Sequence, residues 1–273
     1  MTKEQERARA KRRAVRQEAA ARERAAQQRR NTQVAAVVAV LVVAVVGFIV
    51  LAMQLNDSAS DPGASPSSST SSTTTAAEEA LADGCTAPPA VPGTAGELDA
   101  PSAEDVAAVS GKTVVATLET NCGRIELTLD GEKAPETVAS FVQLARLAYW
   151  ADAPCHRLVT TGIFVLQCGD PTGTGSGNPG YGYGIENAPA DGLYPKGTVA
   201  MARTDDPESN GGQFFIVFED TTLPTEGGGY SIFGTVTEGL DIVERIAAGG
   251  NDSEGVAPRF PISTLTVTTE TKD

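Results

Sequence analysis

The chain has 273 residues, of which 41% are hydrophobic, with 28 glycines, 16 prolines and a single histidine. This mixed composition excludes a collagen, a pure coiled coil and a protein that crosses a membrane many times. Residues 1–30 carry 11 Lys or Arg and 4 Asp or Glu, whereas the remainder carries 10 and 31. Because nucleic-acid affinity comes mainly from cationic side chains, the acidic remainder argues against a nucleic-acid partner.

An apolar run without charges extends from Val34 to Met53. A helix of this length spans a bilayer core of about 30 Å. A cleaved signal peptide is the alternative, but its apolar region is usually only about 7–15 residues long. We therefore predict a basic cytoplasmic tail over residues 1–33 and a single transmembrane helix over 34–55. Many Lys and Arg residues precede the run, and the first basic residue after it is Lys112. The positive-inside rule therefore places the residues before the run in the cytoplasm and those after it outside the cell membrane.

Residues 56–105 are predicted to form a linker and an extension. Ser, Thr, Pro and Ala dominate residues 56–83, and this composition is typical of a flexible tether. Residues 84–110 remain rich in Pro and Ala and indicate an extension that lies on the next domain. That domain, residues 106–273, is long enough to enclose one substantial core, and we expect it to act as a monomer.

All four cysteines follow the apolar run, as expected in an oxidising compartment. Four cysteines allow three pairings. We favour Cys155 with Cys168, which flank a short hairpin-like segment, and Cys85 with Cys122, which would join the extension to the domain. A metal site is the weaker interpretation, because the chain has no C-x-x-C spacing and His156 is its only imidazole. No cofactor or metal is expected.

The globular part begins with a predicted β-hairpin, in which TVVATLE and RIELTLD alternate apolar and polar residues on either side of Asn121-Cys122-Gly123. A helix is predicted to begin at Pro135 and a second one to run from Leu240 to Ala248. Short apolar strands are predicted at 156–159, 163–167, 197–202, 213–217, 231–236 and 261–269. Many short strands with two helices predict a mainly β domain, a closed antiparallel barrel capped by the helices.

Three separated segments carry a family resemblance: CHRLVTTGIFVLQCGD (155–170), GTVAMARTDDPESNGGQFFIVF (197–218) and TLPTEGGGYSIFGTV (222–236). In this order they resemble the cyclophilin family of peptidyl-prolyl isomerases, and the resemblance covers roughly residues 112–270. It implies a cyclophilin-like barrel of eight strands. It also implies an enzyme that isomerises X–Pro bonds in proline-containing polypeptides, and so helps exported proteins to fold.

The resemblance assigns catalytic roles to Arg157 and to Gln167, the glutamine that would position the arginine. The residues expected to bind substrate line a pocket for the proline ring and the adjoining peptide: Phe164, Val165, Ala202, Arg203, Gln213, Phe215, Leu223 and Tyr230. Thr222, Arg203 and Tyr230 stand where many members have tryptophan, asparagine and histidine. These departures resemble a bacterial extracytoplasmic subgroup and cast doubt on cyclosporin sensitivity more than on isomerase activity.

The residue types fit this chemistry independently. An X–Pro bond prefers the trans form by only about 0.5–1 kcal/mol, yet it interconverts slowly because its C–N bond has partial double-bond character. A guanidinium directed at the prolyl nitrogen would favour the twisted state, and Arg157 stays charged and presents fixed donors.

Two further interpretations concern the same segments. The glycine-rich run 169–184 has the glycine content of a phosphate-binding loop, but it lacks the GK[ST] ending, so we predict a turn-rich loop beside the pocket. The alternative function is a non-catalytic module that binds proline-containing segments or scaffolds proteins of the cell envelope.

Overall fold

A computed structural model describes residues 81–252 and 255–272, which belong to the unit Thr74–Asp273. The predicted cytoplasmic tail, the predicted transmembrane helix over 34–55 and most of the predicted linker lie outside the described residues. None of the helices within the described ranges is long and apolar enough to cross a bilayer.

The structure is mainly β, as predicted. The described residues contain eleven strands: β1 Thr113–Thr120, β2 Gly123–Asp130, β3 Ala153–Pro154, β4 Arg157–Thr161, β5 Ile163–Cys168, β6 Leu193–Tyr194, β7 Thr198–Met201, β8 Phe214–Val217, β9 Thr221–Thr222, β10 Ile232–Glu238 and β11 Ser263–Lys272. The same residues contain three α-helices, α1 Ala103–Val109, α2 Pro135–Arg146 and α3 Leu240–Ala248, and a 3₁₀ turn over Glu226–Gly228.

Nine strands form one antiparallel sheet in the order β3-β11-β1-β2-β10-β7-β8-β5-β4, and β6 pairs separately with β9. The two edge strands, β3 and β4, follow one another in sequence with only Cys155 and His156 between them. Three residue steps span at most about 11 Å, so the sheet must curl until its two edges lie close together. The prediction of eight strands in a closed barrel is therefore not confirmed: the sheet has nine strands, and its ladder of paired strands ends at two edges.

The local signals in the sequence explain the hairpin and two of the helices. The predicted hairpin is present, but its connection is one residue shorter than the predicted Asn121-Cys122-Gly123: Thr120 pairs with Gly123, which leaves Asn121 and Cys122 between β1 and β2. Helix α2 begins at Pro135, whose missing N–H costs nothing in the first turn. Helix α1 was not predicted, although Ser102 and Asp105 form a reciprocal capping box at its start.

Side chains on the two faces of the sheet form two separate apolar clusters. The main core is closed by an aromatic group in which Phe141 of α2 packs on Trp150, Phe214 and Phe233, with ring centroids 4.5–5.8 Å apart. The small cluster comprises the buried residues Val165, Tyr194, Ala200, Phe215, Val217 and Leu223, with the half-buried residues Val159, Ile163, Ala202, Tyr230 and Ile232 packed against them.

Both favoured disulfides are present, Cys85–Cys122 and Cys155–Cys168. The first joins the chain before α1 to the β1–β2 connection. The second joins the residue after β3 to the last residue of β5. The cysteines within the described ranges therefore leave no free thiol.

We expect the replacement of Cys85 and Cys122 by serine to lower the free energy of unfolding of the 81–273 fragment by about 2–4 kcal/mol, because the bridge restricts the unfolded chain. The two cysteines are 37 residues apart, against 13 for Cys155 and Cys168. Urea unfolding of both double variants checks this expectation. A smaller loss for the 85–122 pair than for the 155–168 pair would contradict the entropic explanation.

Candidate active site

Strand register places a charged, a polar and an aromatic side chain in one row across the sheet. Arg157 of β4 is directly opposite Gln167 of β5, and Gln167 is directly opposite Phe215 of β8. Ala200 of β7 continues the row beyond Phe215. Because directly opposed residues of antiparallel strands share a face, these side chains all project from the face that carries the small cluster.

A second row lies two residues along the same strands and is entirely aliphatic. Val159, Val165 and Val217 are opposed across β4, β5 and β8. Val165 and Val217 are buried, whereas Val159 is only half-buried. Arg157, which is exposed, therefore lies beside an aliphatic row of which only Val159 leaves apolar surface open to solvent.

A chain of hydrogen bonds fixes the side chain of Arg157. Its Nη1 donates to Gln167 Oε1 at 3.1 Å, and Gln167 Nε2 donates to Gln213 Oε1 at 2.9 Å. Gln213 Nε2 in turn donates to the backbone oxygens of Gly175 at 3.1 Å and Gly177 at 2.8 Å. Since both ends of each amide are engaged, the network fixes their orientation and holds an acceptor towards the guanidinium.

Aromatic rings form one wall of the small cluster. The Phe215 ring lies 5.7 Å from that of Tyr230 and 6.3 Å from that of Tyr194, measured between centroids. Tyr194 holds this wall in place, because its hydroxyl donates to Tyr230 O at 3.0 Å and accepts from Tyr230 N at 2.8 Å. Leu223 is buried in the same cluster, and its N–H donates to Gly192 O at 2.9 Å.

Arg203 stabilises the rim of the site. Its guanidinium carbon lies 5.1 Å from the centroid of the Tyr230 ring. Its Nε donates to Gly229 O at 2.7 Å, and its other nitrogens donate to Thr204 O and Glu226 O at 2.7 and 3.2 Å. The Arg203 side chain therefore ties the segment after β7 to the 3₁₀ turn.

A groove of about 590 Å³ lies beside the hydrogen-bond chain. Gln167, Gln213, Ala202 and Arg203 contribute to its walls, and the glycine-rich loop (residues 169–184) contributes much of the remainder. A groove of this size can receive the residues of an extended peptide next to the small cluster.

The structure brings nine of the ten predicted site residues to this region. Phe164 is the exception: it packs against the main core, and its ring centroid lies 6.0 Å from that of Phe218. The placement of Phe164 in the pocket is therefore corrected. Adjacent residues of a strand point to opposite faces, so Val165 and Phe164 cannot both line the pocket.

Ile163 takes the place on the pocket face that was expected for Phe164, because it lies two residues before Val165. Val159, Tyr194 and Val217 also belong to the small cluster and were not predicted. Every second residue of a strand lies on the same face. Ile163, four residues before Gln167, and Val159, beyond the β4–β5 turn, could therefore have been placed on the pocket face from the sequence. Tyr194 lies on a two-residue strand with no sequence signal of its own.

His156 lies next to Arg157 and is buried, with a relative exposure of 8%. Neither ring nitrogen has a hydrogen-bond partner within residues 81–252 and 255–272. The Gln213 side chain and the Pro154 backbone lie near the ring and oppose the effect of burial on the pKa of His156. Burial lowers the pKa of His156 below its ordinary value of 6.5, and the Arg157 charge acts in the same direction while Asp170 opposes it.

Comparison with known proteins places the chain in a family. The model described as "Cyclophilin type peptidyl-prolyl cis-trans isomerase/CLD" matches residues 115–267, which is more than half of the chain. The fold and the match together define the class, and the chain belongs to the cyclophilin-type peptidyl-prolyl cis-trans isomerase family. The resemblance of its three segments is thus confirmed at the level of the family.

Several relatives are similar over this region. A probable peptidyl-prolyl cis-trans isomerase B of Mycobacterium leprae is 39% identical over 189 residues, which cover 64% of this chain and 62% of the relative. A peptidyl-prolyl cis-trans isomerase of Helicobacter pylori is 37% identical over 140 residues, 50% of this chain and 83% of that protein. The chain thus spans less than two thirds of the length of the mycobacterial relative. A crystal structure of a Cryptosporidium parvum cyclophilin type isomerase superposes with a TM-score of 0.50 at 25% identity, covering 59% of this chain and 99% of that one.

We expect the buried imidazole of His156 to make the fold less stable as the pH falls below about 6.5. Below this pH His156 is protonated in the unfolded chain but stays neutral in the folded chain. The free energy of unfolding therefore falls with decreasing pH, by at most about 1.4 kcal/mol per pH unit. Chemical unfolding of the wild type and of His156→Gln between pH 8 and pH 5 measures this loss.

The His156→Gln variant lacks the only imidazole of the chain and should lose less stability over the same interval. Below about pH 4 both proteins should lose stability together, since hydrogen bonds hold the pKa of Asp105 and Asp170 below the ordinary 3.8. Identical pH dependence of the two proteins between pH 7 and pH 5 would contradict a neutral buried His156.

Proposed function

We propose that the protein is a peptidyl-prolyl cis-trans isomerase that acts on X–Pro bonds of polypeptides outside the cytoplasm and assists their folding. The observation that carries the proposal is the row formed by Arg157, Gln167 and Phe215, in which a fixed guanidinium borders an apolar surface. Membership of the cyclophilin family supports the same activity.

The chemistry follows from the bond that must rotate. The C–N bond of an X–Pro peptide resists rotation because the nitrogen lone pair is shared with the carbonyl group. In the twisted state the lone pair is localised on the prolyl nitrogen, which then becomes a hydrogen-bond acceptor. An N–H of Arg157 directed at this nitrogen stabilises the twisted state more than either planar isomer, and the barrier falls. No proton is removed and no covalent intermediate is needed.

The small cluster provides the place for the pyrrolidine ring. Val165, Phe215 and Leu223 form its buried apolar base, and the half-buried Ile163 and Tyr230 expose apolar surface beside them. A proline ring packed there displaces water from beside Arg157. Because the local dielectric constant then falls, the guanidinium acts more strongly on the prolyl nitrogen.

Gln167 and Gln213 keep the guanidinium in one orientation. An arginine side chain has about 2 kcal/mol of rotamer entropy, and an unsupported Arg157 would point at the substrate only part of the time. Two successive glutamine hydrogen bonds restrict it before substrate binds. Preorganisation of this kind lowers the cost of reaching the reactive geometry.

The proposed location is the outer side of a membrane, with the N-terminal residues in the cytoplasm. The apolar run of 34–53 and the Lys and Arg residues before it support this orientation. Two disulfides, one within the domain and one between the extension and the domain, support an oxidising compartment, because disulfides are rare in the cytosol. Exported chains are then the substrates that the enzyme meets.

We expect Arg157→Ala to lower kcat/KM for a proline-containing peptide by about 10²-fold or more, with peptide affinity changed only a few-fold. The charge is lost, but the apolar surface remains. Arg157→Lys should retain part of the activity, since lysine keeps the charge without the planar fork. A protease-coupled or NMR exchange assay measures the rates.

Arg124→Ala is the matched control, because Arg124 forms a surface ion pair with Glu119 at 2.9 Å on the β1–β2 hairpin. It should leave kcat/KM unchanged. If the wild type and Arg157→Ala accelerate isomerisation equally weakly while both bind the peptide, the protein is a proline-binding module and the proposed activity is wrong.

We expect protease added to intact spheroplasts that express the full chain to degrade the domain of residues 106–273 and to leave a protected N-terminal fragment. Deletion of residues 34–55 should abolish membrane association. Alkylation and mass mapping of protein isolated from the membrane should find both disulfides oxidised. A domain that resists external protease and carries reduced cysteines would contradict the proposed location.

A further inference from the structure

The chain before the family match runs across the glycine-rich loop that borders the groove. We call residues 86–99 the strap; they precede the matched region 115–267. Two backbone hydrogen bonds join the strap to the loop. Gly93 N donates to Pro171 O at 3.0 Å, and Leu98 N donates to Pro179 O at 2.7 Å. The strap therefore contacts the loop at two points, which are five residues apart on the strap and eight residues apart on the loop.

Close packing accompanies both hydrogen bonds. A Cβ atom at Gly180 would lie 3.1 Å from the Glu97 Cα atom and 3.3 Å from the Leu98 nitrogen. A Cβ atom at Gly173 would lie 3.4 Å from Val91 Cγ1. Both glycines have a positive φ, +94° and +70°, so side chains are disfavoured there on conformational grounds as well.

The strap is itself fixed to the domain at both ends. At its start, Thr86 N donates to Asn121 O and Asn121 Nδ2 donates to Thr86 O, each at 2.8 Å, beside the Cys85–Cys122 disulfide. At its end, Gln143 Nε2 of α2 donates to Asp99 O at 2.6 Å. The strap is therefore able to hold the loop against the domain.

The middle of the loop carries the carbonyl groups that end the hydrogen-bond chain of Arg157. Gly175 O and Gly177 O both accept from Gln213 Nε2. On the inner side, the buried Asp170 accepts from Thr172 N and from Gly177 N. Because glycine-rich backbone has little conformational preference of its own, the positions of these carbonyls depend on Asp170 within the loop and on partners outside it, the strap among them.

We propose that the strap is a positioning element for Arg157, and that Leu98 and Gly93 are its key positions. The strap holds the glycine-rich loop, the loop holds Gln213, and Gln213 holds Gln167 and thereby the guanidinium. The proposal rests on the proposed isomerase function. It gives the segment before the matched family region a role in the site, although neither Leu98 nor Gly93 lines the groove.

The test uses the full chain with Leu98→Pro, which removes the N–H that donates to Pro179 O. Leu98→Ala is the matched control, since it keeps the N–H and removes only the side chain, which packs against the main core. Leu98→Pro should lower kcat/KM about tenfold through misplacement of the guanidinium. Leu98→Ala should lower the melting temperature and leave kcat/KM within about twofold.

A double-mutant cycle with Gln213→Ala separates positioning from general destabilisation. In the Gln213→Ala background, Leu98→Pro should change kcat/KM less than about twofold, because the connection to Arg157 is already broken. Gln143→Ala removes the hydrogen bond that fixes the end of the strap to α2 and should behave in the same way, so the proposal can still be tested if Leu98→Pro does not fold. Losses that simply multiply in the double variants would overturn the proposal.

Hydrogen exchange measured by mass spectrometry gives a readout that does not depend on turnover. Peptides covering 171–182 should exchange about tenfold faster in Leu98→Pro than in Leu98→Ala, while peptides from β1 and β2 are unchanged. If the wild type has no isomerase activity, the proposed function fails and exchange alone decides whether the strap holds the loop. Unchanged exchange in the loop would overturn the proposal in either case.

Discussion

The hydrogen bond between Arg157 and Gln167 is the interaction on which the site depends. It joins directly opposed residues of β4 and β5, the strands that end one edge of the sheet. Without it, the guanidinium would be a long, mobile side chain at a sheet edge, with its charge directed mainly at water. The Cys155–Cys168 disulfide joins the segment just before β4 to the last residue of β5, next to this pair, so a covalent bond reinforces the strand register that opposes the two side chains.

Separation of the two sheet faces lets one domain be both stable and open to substrate. The main core receives Phe141, Trp150, Phe214 and Phe233, all at most 1% exposed. The opposite face needs less apolar surface, and it keeps half-buried residues where a proline ring can pack. Side chains alternate along a strand, so the adjacent residues Phe214 and Phe215 lie on opposite faces: Phe214 packs in the main core, and Phe215 packs in the small cluster.

Much of this arrangement could be predicted because its signals are local. The β1–β2 hairpin, helices α2 and α3 and both disulfides follow from alternation, capping residues and spacing. Phe164 was misplaced because family resemblance placed two adjacent residues in one pocket, against the geometry of a strand. The ninth strand and the contacts of the strap could not be predicted, since they join segments as distant as Leu98 and Pro179 through backbone atoms, which carry no side-chain pattern.

The glycine-rich loop shows why such distant contacts matter for the chemistry. Its backbone must approach Gln213, Asp170 and the strap closely, and at Gly177 a Cβ atom would overlap the Asp170 carboxylate. Glycine permits this approach but supplies little stiffness, so the precision of the loop must come from its neighbours. The positions of the carbonyl groups that orient Gln213 therefore depend on Asp170 within the loop and on the strap, and the geometry at Arg157 depends in part on residues that precede the matched family region 115–267.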